Sequence, residues 1–508
     1  MGDSNEQSTL VIDGGSLTLG QLKAFEKTRP HVSLAAAARQ RMQASADSVQ
    51  KTVEAGTVSY GINTGFGAFA TRVIPRDQTR RLQLNLIRSH ACGTGDPLGA
   101  TIVRRILLLK ANSLAAGCSG ARPLVVEMLL ALLNNDVLPV IPCQGSVGAS
   151  GDLAPLAHLA LVLIGEGEAR HGGTLLEGTA ALQAIGMSTL EPEAKEGLAL
   201  LNGTQLSLAL ALEGLFETQK LLDASIVAGA LIVEGLAGSY APFDERIQAV
   251  SRLPGQISVT RQLRTLLTDS DIHGSHRDCD RVQDPYAVRC MPQVFGAVEN
   301  TLQHARQILG YAVNGVSDNP LVFDDAVLSG GNFHAEPIGF ISDFLAIAAA
   351  ELASVAERRI DLLDRRVNPN LNMFLATEPG LESGFMMAHV TAAALVSENK
   401  TYAHPASVDS LPTSAGQEDH VSMAPWAGRK LQRICENSAR VLAIELLVGA
   451  HAIDCQRPLQ TTPQLSKVHA ELRKSVPYRG RDHRLDHDIE ALTILVRAGR
   501  LSQFIARA

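Results

Sequence analysis

The stretch that decides the fold is EPIGFISDFLAIAAAELASVAERRIDLLDRR, residues 336–366. It contains no proline after Pro337, so it predicts one helix of about 30 residues, which would extend about 45 Å. An Ala-rich apolar face of that length needs partner helices of equal length. The segment therefore predicts a bundle of long helices shared between subunits.

Helical periodicity continues on both sides of this segment. Further helices are predicted at 33–55, 77–91, 99–116, 122–135, 153–165, 205–235, 292–314, 384–400, 427–453, 464–475 and 485–507. Residues 10–19, LVIDGGSLTL, predict a short hairpin around Gly14-Gly15, and residues 137–152 and 254–284 interrupt the helices. We expect a mainly α fold with a small mixed N-terminal region, an N-terminal domain over 1–205 and a long-helix core with a C-terminal helical domain over 206–508.

Composition narrows the class of protein. The chain has 508 residues, 45% of them hydrophobic, and a net charge of -7, which predicts a soluble protein and argues against a nucleic-acid partner. The polar N-terminus MGDSNEQSTL is not a secretory signal, and apolar runs such as 153–165 are too short to cross a bilayer. Seven scattered cysteines predict free thiols. We expect a cytoplasmic protein without a membrane partner.

A second stretch, GSVGASGDLAP at residues 145–155, carries the chemistry. Its glycines permit a tight backbone fold in which the amide nitrogen of Gly151 attacks the carbonyl of Ala149. Loss of water, including the Ser150 hydroxyl, would leave a methylidene-imidazolone ring. This ring is an electrophile of a kind that no ordinary side chain provides.

The 145–155 loop resembles the electrophile loop of the aromatic amino acid ammonia-lyases, which deaminate histidine, phenylalanine and tyrosine. Seven further segments resemble that family in the family's order: YGINTGFG (60–67), LIRSHACGTG (86–95), KEGLALLNGT (195–204), RVQDPYAVRC (281–290), SDNPLVF (317–323), GNFHAEP (331–337) and HPASVDSLPTSAGQEDHVSM (404–423). The resemblance is closest to the histidine ammonia-lyase branch. It implies an elongated helical bundle of the ammonia-lyase and fumarase-aspartase type, a homotetramer with active sites shared between subunits, and no external cofactor.

Three residues outside the loop resemble the family's catalytic and pocket residues. Tyr60 is the candidate base that removes the β proton of the substrate. Phenols titrate near pH 10, so a tyrosine base at neutral pH needs a nearby helix N-terminus or cation. Asn202 resembles the asparagine that hydrogen-bonds the ring, and Phe333 resembles a pocket residue beside it.

The segment 281–290 supplies a candidate carboxylate clamp. Pro285 is suited to the first helical position, which would place Tyr286 and Arg289 on one helix face. Arg289 offers a fork for the substrate carboxylate. Tyr286 offers a hydroxyl near the ring or the amine, and Gln283 a hydrogen-bond donor. The competing interpretation is the start of a surface helix with an Arg–Asp pair.

Two positions indicate the substrate. Histidine-type family members carry a histidine and a glutamate where this chain has His90 and Glu418. A carboxylate facing an imidazole N–H forms a charge-assisted hydrogen bond, which phenylalanine cannot match. The resemblance thus implies deamination of L-histidine to trans-urocanate and ammonia, the first step of histidine degradation. Gly416 and His389 depart from the family pattern, which leaves room for a retuned pocket.

Two alternatives stay open beside this hypothesis. A histidine or tyrosine 2,3-aminomutase of the same family would use the same groups, and a catalytically silent homologue would keep only the fold. His273, His276 and Cys279 have metal-like spacing, but no second tight pair accompanies them, so we expect no metal. A fumarase-type lyase is disfavoured because its Met-Pro-x-Lys loop is absent from the sequence.

Overall fold

The computed structural model describes residues 9–276, 281–324 and 326–506. The chain is about 60% helical, with 19 α-helices in the described part. The predicted mainly α class is therefore confirmed.

The long helices lie close to their predicted positions. The helices are Leu19–Thr28, Ala36–Glu54, Thr79–His90, Ala100–Ala115, Pro123–Asn134, Leu153–Leu163, Gly178–Gln183, Glu196–Leu201, Gln205–Gly235, Glu245–Ser251, Pro254–Leu266, Asp271–Gly274, Tyr286–Arg289, Met291–Ala312, Glu336–Asp364, Met386–Tyr402, Ala424–Asp454, Pro463–Ser475 and Asp486–Arg497. The predicted 485–507 helix ends early, because Gly499 at φ 68° turns the chain into a 3-10 segment, Arg500–Phe504.

Short strands make up the mixed part of the fold. They are Thr9–Ile12, His31–Leu34, Thr94–Pro97, Leu138–Pro139, Pro142–Gln144, Glu168–His171, Thr174–Glu177, Leu321–Val322 and Val327–Leu328. The first two pair in parallel, while the remaining sheets are antiparallel.

The predicted hairpin around Gly14-Gly15 was wrong. Thr18 and Gln21 form a capping box that starts the helix Leu19–Thr28 directly after the glycines. The strand Thr9–Ile12 therefore pairs with the strand beyond that helix.

The polar segment 254–284 was predicted to interrupt the helices, and it does so only in part. Residues Pro254–Leu266 form a helix whose buried residues include Val259, Leu263 and Leu266. These three positions share one helix face, and the polar side chains that hid the pattern occupy other faces.

The chain divides into two compact units by internal contacts. Unit 1 comprises 1–213, 306–342 and 405–429, and unit 2 comprises 214–305, 343–404 and 430–508. The predicted domain boundary at residue 205 stays a prediction.

One helix is long and apolar enough to resemble a membrane-crossing helix, which the sequence analysis did not expect. Glu336–Asp364 has the length and composition of a membrane-crossing helix, but 67% of its most apolar window is buried within the protein. That burial is typical of a core helix. None of the six described cysteines forms a disulfide, and Cys279 lies outside the described residues.

Candidate active site

The loop around Ser150 follows a backbone path that only glycine suits at two points. Gly148 and Gly151 have φ of 66° and 74°, in the left-handed region. A Cβ at Gly148 would lie 2.4 Å from Ser422 Oγ, and one at Gly151 would lie 2.5 Å from the Gly203 backbone. The loop is therefore pressed between two distant segments of unit 1.

The first of these segments holds the loop from its N-terminal side. Ser422 Oγ donates to the Gly148 carbonyl at 2.8 Å. Met423 N donates to the Val147 carbonyl at 2.8 Å. Ala335 N, which lies on a third distant segment, donates to Gly148 O at 3.3 Å. The backbone before Ser150 is thus fixed by residues far away in the sequence.

The second segment holds the loop from Ser150 onward. Asn202 Nδ2 donates to the Ser150 carbonyl at 2.6 Å. Gly151 and Gly203 form a parallel bridge, and Asp152 N donates to Gly203 O at 2.7 Å. Asn202, predicted to lie beside the ring, is in direct contact with the triplet that would form it.

Asp152 anchors the end of the loop and was missed as a site residue. Its carboxylate is fully buried, and burial raises its pKa to about 6. Ser207 donates to it through N at 2.8 Å and Oγ at 2.9 Å, and Ser146 Oγ donates at 3.1 Å. The only signal in the sequence was its place next to Gly151.

Glu418 lies against the triplet, as the substrate hypothesis requires. Its carboxylate accepts hydrogen bonds from Thr413 Oγ1 at 2.5 Å and Ser414 Oγ at 2.7 Å. The Ser150 side chain lies close enough to help lower the pKa of Glu418. Burial acts to raise the pKa of Glu418, but these hydroxyls, with His90, hold it below its ordinary value. Glu418 is therefore ionised at neutral pH.

His90 lies within electrostatic reach of Glu418. Its Nδ1 is 2.9 Å from the Leu86 carbonyl, which can only accept. Burial lowers the pKa of His90, against the opposing effects of Leu86 and Glu418. A neutral His90 leaves the charge of Glu418 available to another cationic or N–H group.

Tyr60 and Phe333 lie on segments that border this site. The Gly67 amide donates to the Tyr60 hydroxyl at 3.3 Å, and the 3-10 turn Gly67–Phe69 packs against the turn Ser414–Gly416. Phe333 is half-buried, two residues before the Ala335 amide that contacts Gly148. Their predicted roles stay predictions.

The clamp candidates form their own cluster in unit 2. Tyr286–Arg289 is a single helical turn with Pro285 at its N-cap, so Pro285 is not the first helical residue as predicted. Arg289 donates to Gln283 and lies 5.9 Å from the Tyr286 ring. Tyr286 is 76% exposed. The Arg–Asp pair that the competing interpretation expects is also present, between Arg281 and Asp284 at 3.0 Å.

The two atypical positions have different structural explanations. Gly416 has φ of 83°, a conformation that glycine adopts most easily and asparagine next, so glycine suits this turn. His389 lies in unit 2 between two carboxylates, 2.8 Å from Glu357 and 3.4 Å from Asp364. Burial raises the pKa of Asp364 to about 7.

The metal-ligand candidates of the sequence and of the described residues lie in different places. His273 stacks on Tyr240 at 3.8 Å, and Cys279 of the predicted alternative lies outside the described residues. His334, Glu336 and His420 have ligand atoms within 4.8 Å of one another. The expectation of no metal stays a prediction.

Comparison with known proteins decides the family. The family model described as "Aromatic amino acid lyase" matches residues 17–474. This chain belongs to that family. It is an enzyme, a carbon–nitrogen lyase.

Individual proteins of this family are similar to the chain over nearly its whole length. The chain is 50% identical over 489 residues to a protein named histidine ammonia-lyase from Burkholderia cenocepacia, covering 96% of each chain. The structure of histidine ammonia-lyase from Trypanosoma cruzi matches with a TM-score of 0.90 at 40% identity, covering 98% of this chain and 94% of that one. Tyrosine aminomutase from Streptomyces globisporus matches with a TM-score of 0.92 at 33% identity, covering 98% of both chains.

Proposed function

We propose that this lyase converts L-histidine to trans-urocanate and ammonia, with an electrophile built from Ala149, Ser150 and Gly151. The observation that carries the proposal is the ionised Glu418, which the Thr413 and Ser414 hydroxyls hold near Ser150. A carboxylate suited to an imidazole N–H would then lie near the triplet whose electrophile the substrate amine attacks. The relatives named histidine ammonia-lyase support the same substrate.

The residues around the triplet fit a methylidene-imidazolone ring. The glycines on both sides leave no space for a Cβ, so the backbone can approach itself closely. Asn202 donates to the Ser150 carbonyl, an oxygen that the ring would retain. When formed, the ring supplies an electron-poor alkene that captures the substrate amine and makes it a better leaving group. No external cofactor is part of the proposal.

Tyr60 is proposed to take the β proton. The Gly67 amide donates to its hydroxyl oxygen, which fixes the position of the phenol. Its loop packs against the turn that carries Ser414, whose hydroxyl holds Glu418. The proposed base and the proposed substrate anchor are thus on adjoining segments.

Arg289, with Gln283 and Tyr286, is proposed to bind the substrate carboxylate. The guanidinium offers a planar fork, and Gln283 fixes its orientation. Phe333 and His90 are proposed to shape the ring side of the pocket.

A homotetramer with shared active sites is part of the proposal. Unit 2 exposes large apolar side chains on its long helices, including Ile347 at 49%, Met387 at 61% and Val390 at 51%. Apolar patches of this kind mark protein interfaces. Light scattering after size exclusion measures the oligomer directly. The described cysteines form no disulfide, which fits the reducing cytoplasm in which we place the enzyme.

The deciding experiment incubates the purified protein with L-histidine and follows urocanate by its ultraviolet absorbance. The proposal expects stoichiometric urocanate and ammonia, and an intact mass lower than the sequence mass by two waters. Absence of turnover together with a full sequence mass would instead support the silent homologue.

A 2,3-aminomutase is the second candidate. The match to Streptomyces globisporus tyrosine aminomutase favours it, since the two chains are alike over nearly their whole lengths. Chiral analysis of the products from L-histidine and L-tyrosine separates the candidates. A β-amino acid as the main product would support the mutase.

A further inference from the structure

Lys110 is a buried cation beneath the candidate site to which the mechanism gives no role. It lies on the helix Ala100–Ala115 in unit 1, and only 1% of it is exposed. Its Nζ donates to two backbone carbonyls, Ala199 O at 3.0 Å and Asn202 O at 2.9 Å. Both carbonyls lie at the C-terminal end of the helix Glu196–Leu201.

A helix end can be capped without burying a charge, by glycine motifs or by water. Burial lowers the pKa of Lys110 to about 8, although the Asp318 and Asp152 carboxylates oppose that effect and Lys195 adds to it. Burying an ammonium here therefore costs more free energy than capping the helix end by these other means.

The two carbonyls belong to the segment that holds the electrophile triplet. Lys110 fixes the main chain of Asn202, while the Asn202 side chain donates to the Ser150 carbonyl at 2.6 Å. The next residue, Gly203, pairs with Gly151. A Cβ at Gly203 would lie 2.9 Å from Lys110 Nζ, so the ammonium packs directly against this segment.

We propose that Lys110 is a positioning residue for formation of the ring. It clamps the main chain at 199–203 so that this segment presses Ser150 and Gly151 into the bent conformation that cyclisation needs. The inference rests on the proposed function, because it assumes that the ring forms.

The cyclisation that Lys110 would assist balances without an added reagent. The Gly151 nitrogen forms a bond to the Ala149 carbonyl carbon. The Ala149 oxygen leaves as water with the protons of the Gly151 and Ser150 amides, and a C=N bond forms. The Ser150 hydroxyl leaves as a second water with the Cα proton, which creates the alkene. No oxidant or reductant takes part.

The test replaces Lys110 by methionine, which keeps an unbranched chain but removes the donors. A matched control is Lys430→Met in unit 2, since Lys430 is 2% exposed and bonds Asp343 and a backbone carbonyl. For each variant, the folded fraction from size exclusion is measured for its two-water mass deficit and its near-ultraviolet absorbance, at fixed times after synthesis.

We expect the ring content per folded chain of Lys110→Met to fall at least about tenfold at early times, while Lys430→Met keeps the wild-type content. A merely structural role would lower the yield of folded protein and leave the ring content of that protein unchanged. Wild-type ring content in folded Lys110→Met overturns the proposal.

If Lys110→Met yields no folded protein, Lys110→Gln decides the question with the same measurement. Its amide keeps a neutral donor, so it should mature more slowly than the wild type, and maturation at the wild-type rate overturns the proposal. A wild-type protein without the mass deficit would instead overturn the proposed electrophile itself, so the two failures are distinguishable.

Discussion

The loop 145–152 in unit 1 and the segment 283–289 in unit 2 are built in opposite ways. The loop is held by hydrogen bonds from three distant segments, and its last residue, Asp152, is fully buried. The segment is one helical turn with Tyr286 76% exposed, and Arg289 bonds a near neighbour, Gln283. The proposed ring closure needs rigid surroundings within one unit, whereas the proposed carboxylate clamp can stay open until another surface covers it.

The largest expected effect removes the reacting group of the loop. Ser150→Ala cannot lose a hydroxyl, so turnover should fall on the order of 10³-fold or more, as when other covalent catalytic groups are deleted. Intact mass, near-ultraviolet absorbance and urocanate formation measure the result, and circular dichroism checks the fold. Full activity in this variant would contradict the electrophile assignment.

The next effect tests the rigidity of the loop with two glycines of nearly equal φ. Gly148 has φ of 66° and Gly56 has φ of 64°, so alanine brings similar strain of about 1–2 kcal/mol at each. Only at Gly148 does the new Cβ meet neighbours, Ser422 Oγ at 2.4 Å and Pro425 Cδ at 3.1 Å, whereas at Gly56 the space is open.

Gly148→Ala should therefore lose the Ser422 contact and lower ring content and turnover by roughly tenfold to a hundredfold, consistent with overpacking costs of about 1–3 kcal/mol. Gly56→Ala should change the melting temperature alone. Equal losses in the two variants would mean that strain, and not the fit around the loop, controls ring formation.

In the exposed segment 283–289, Arg289→Lys keeps the positive charge but loses the planar guanidinium that can bind a carboxylate with two hydrogen bonds. A charge-assisted hydrogen bond contributes about 1.5–3 kcal/mol, so KM for L-histidine should rise by tenfold or somewhat more while ring content stays unchanged. Arg246→Lys is the control, since Arg246 is exposed and pairs with Asp244. Unchanged KM in Arg289→Lys would place the carboxylate elsewhere.

The smallest effect concerns selectivity. Glu418→Gln removes the charge that would face the substrate imidazole, so kcat/KM for L-histidine should fall roughly tenfold relative to that for L-phenylalanine. The control is Asp419→Asn, an exposed neighbour in the same turn. If both substrates lose activity equally, Glu418 supports the loop and does not select the substrate.

The sequence predicted the long helices because each leaves a local pattern. The proline-free stretch from residue 337 became Glu336–Asp364. The hairpin failed because Gly14 and Gly15 do mark a turn, but the choice between a strand and a helix after it was made by Thr18 and Gln21.

Site residues could be predicted only where they belong to a motif that resembles the family. Ser150, Asn202 and Glu418 were identified by resemblance, and the structure brings them together. Ser422 and Lys110 have no local signal, because the partner of each is a backbone carbonyl far along the chain. Such contacts exist only after folding and cannot be read from composition or periodicity.

Some residues that hydrogen-bond the loop lie far from it in the sequence, and this has a consequence for biosynthesis. The carbonyl of Gly148 is held by Ser422, 274 positions later. A ribosome therefore synthesises most of the polypeptide before that restraint exists. In the proposed mechanism, Ser150 would therefore stay an ordinary serine during most of synthesis, and cellular nucleophiles would meet no alkene on the growing chain.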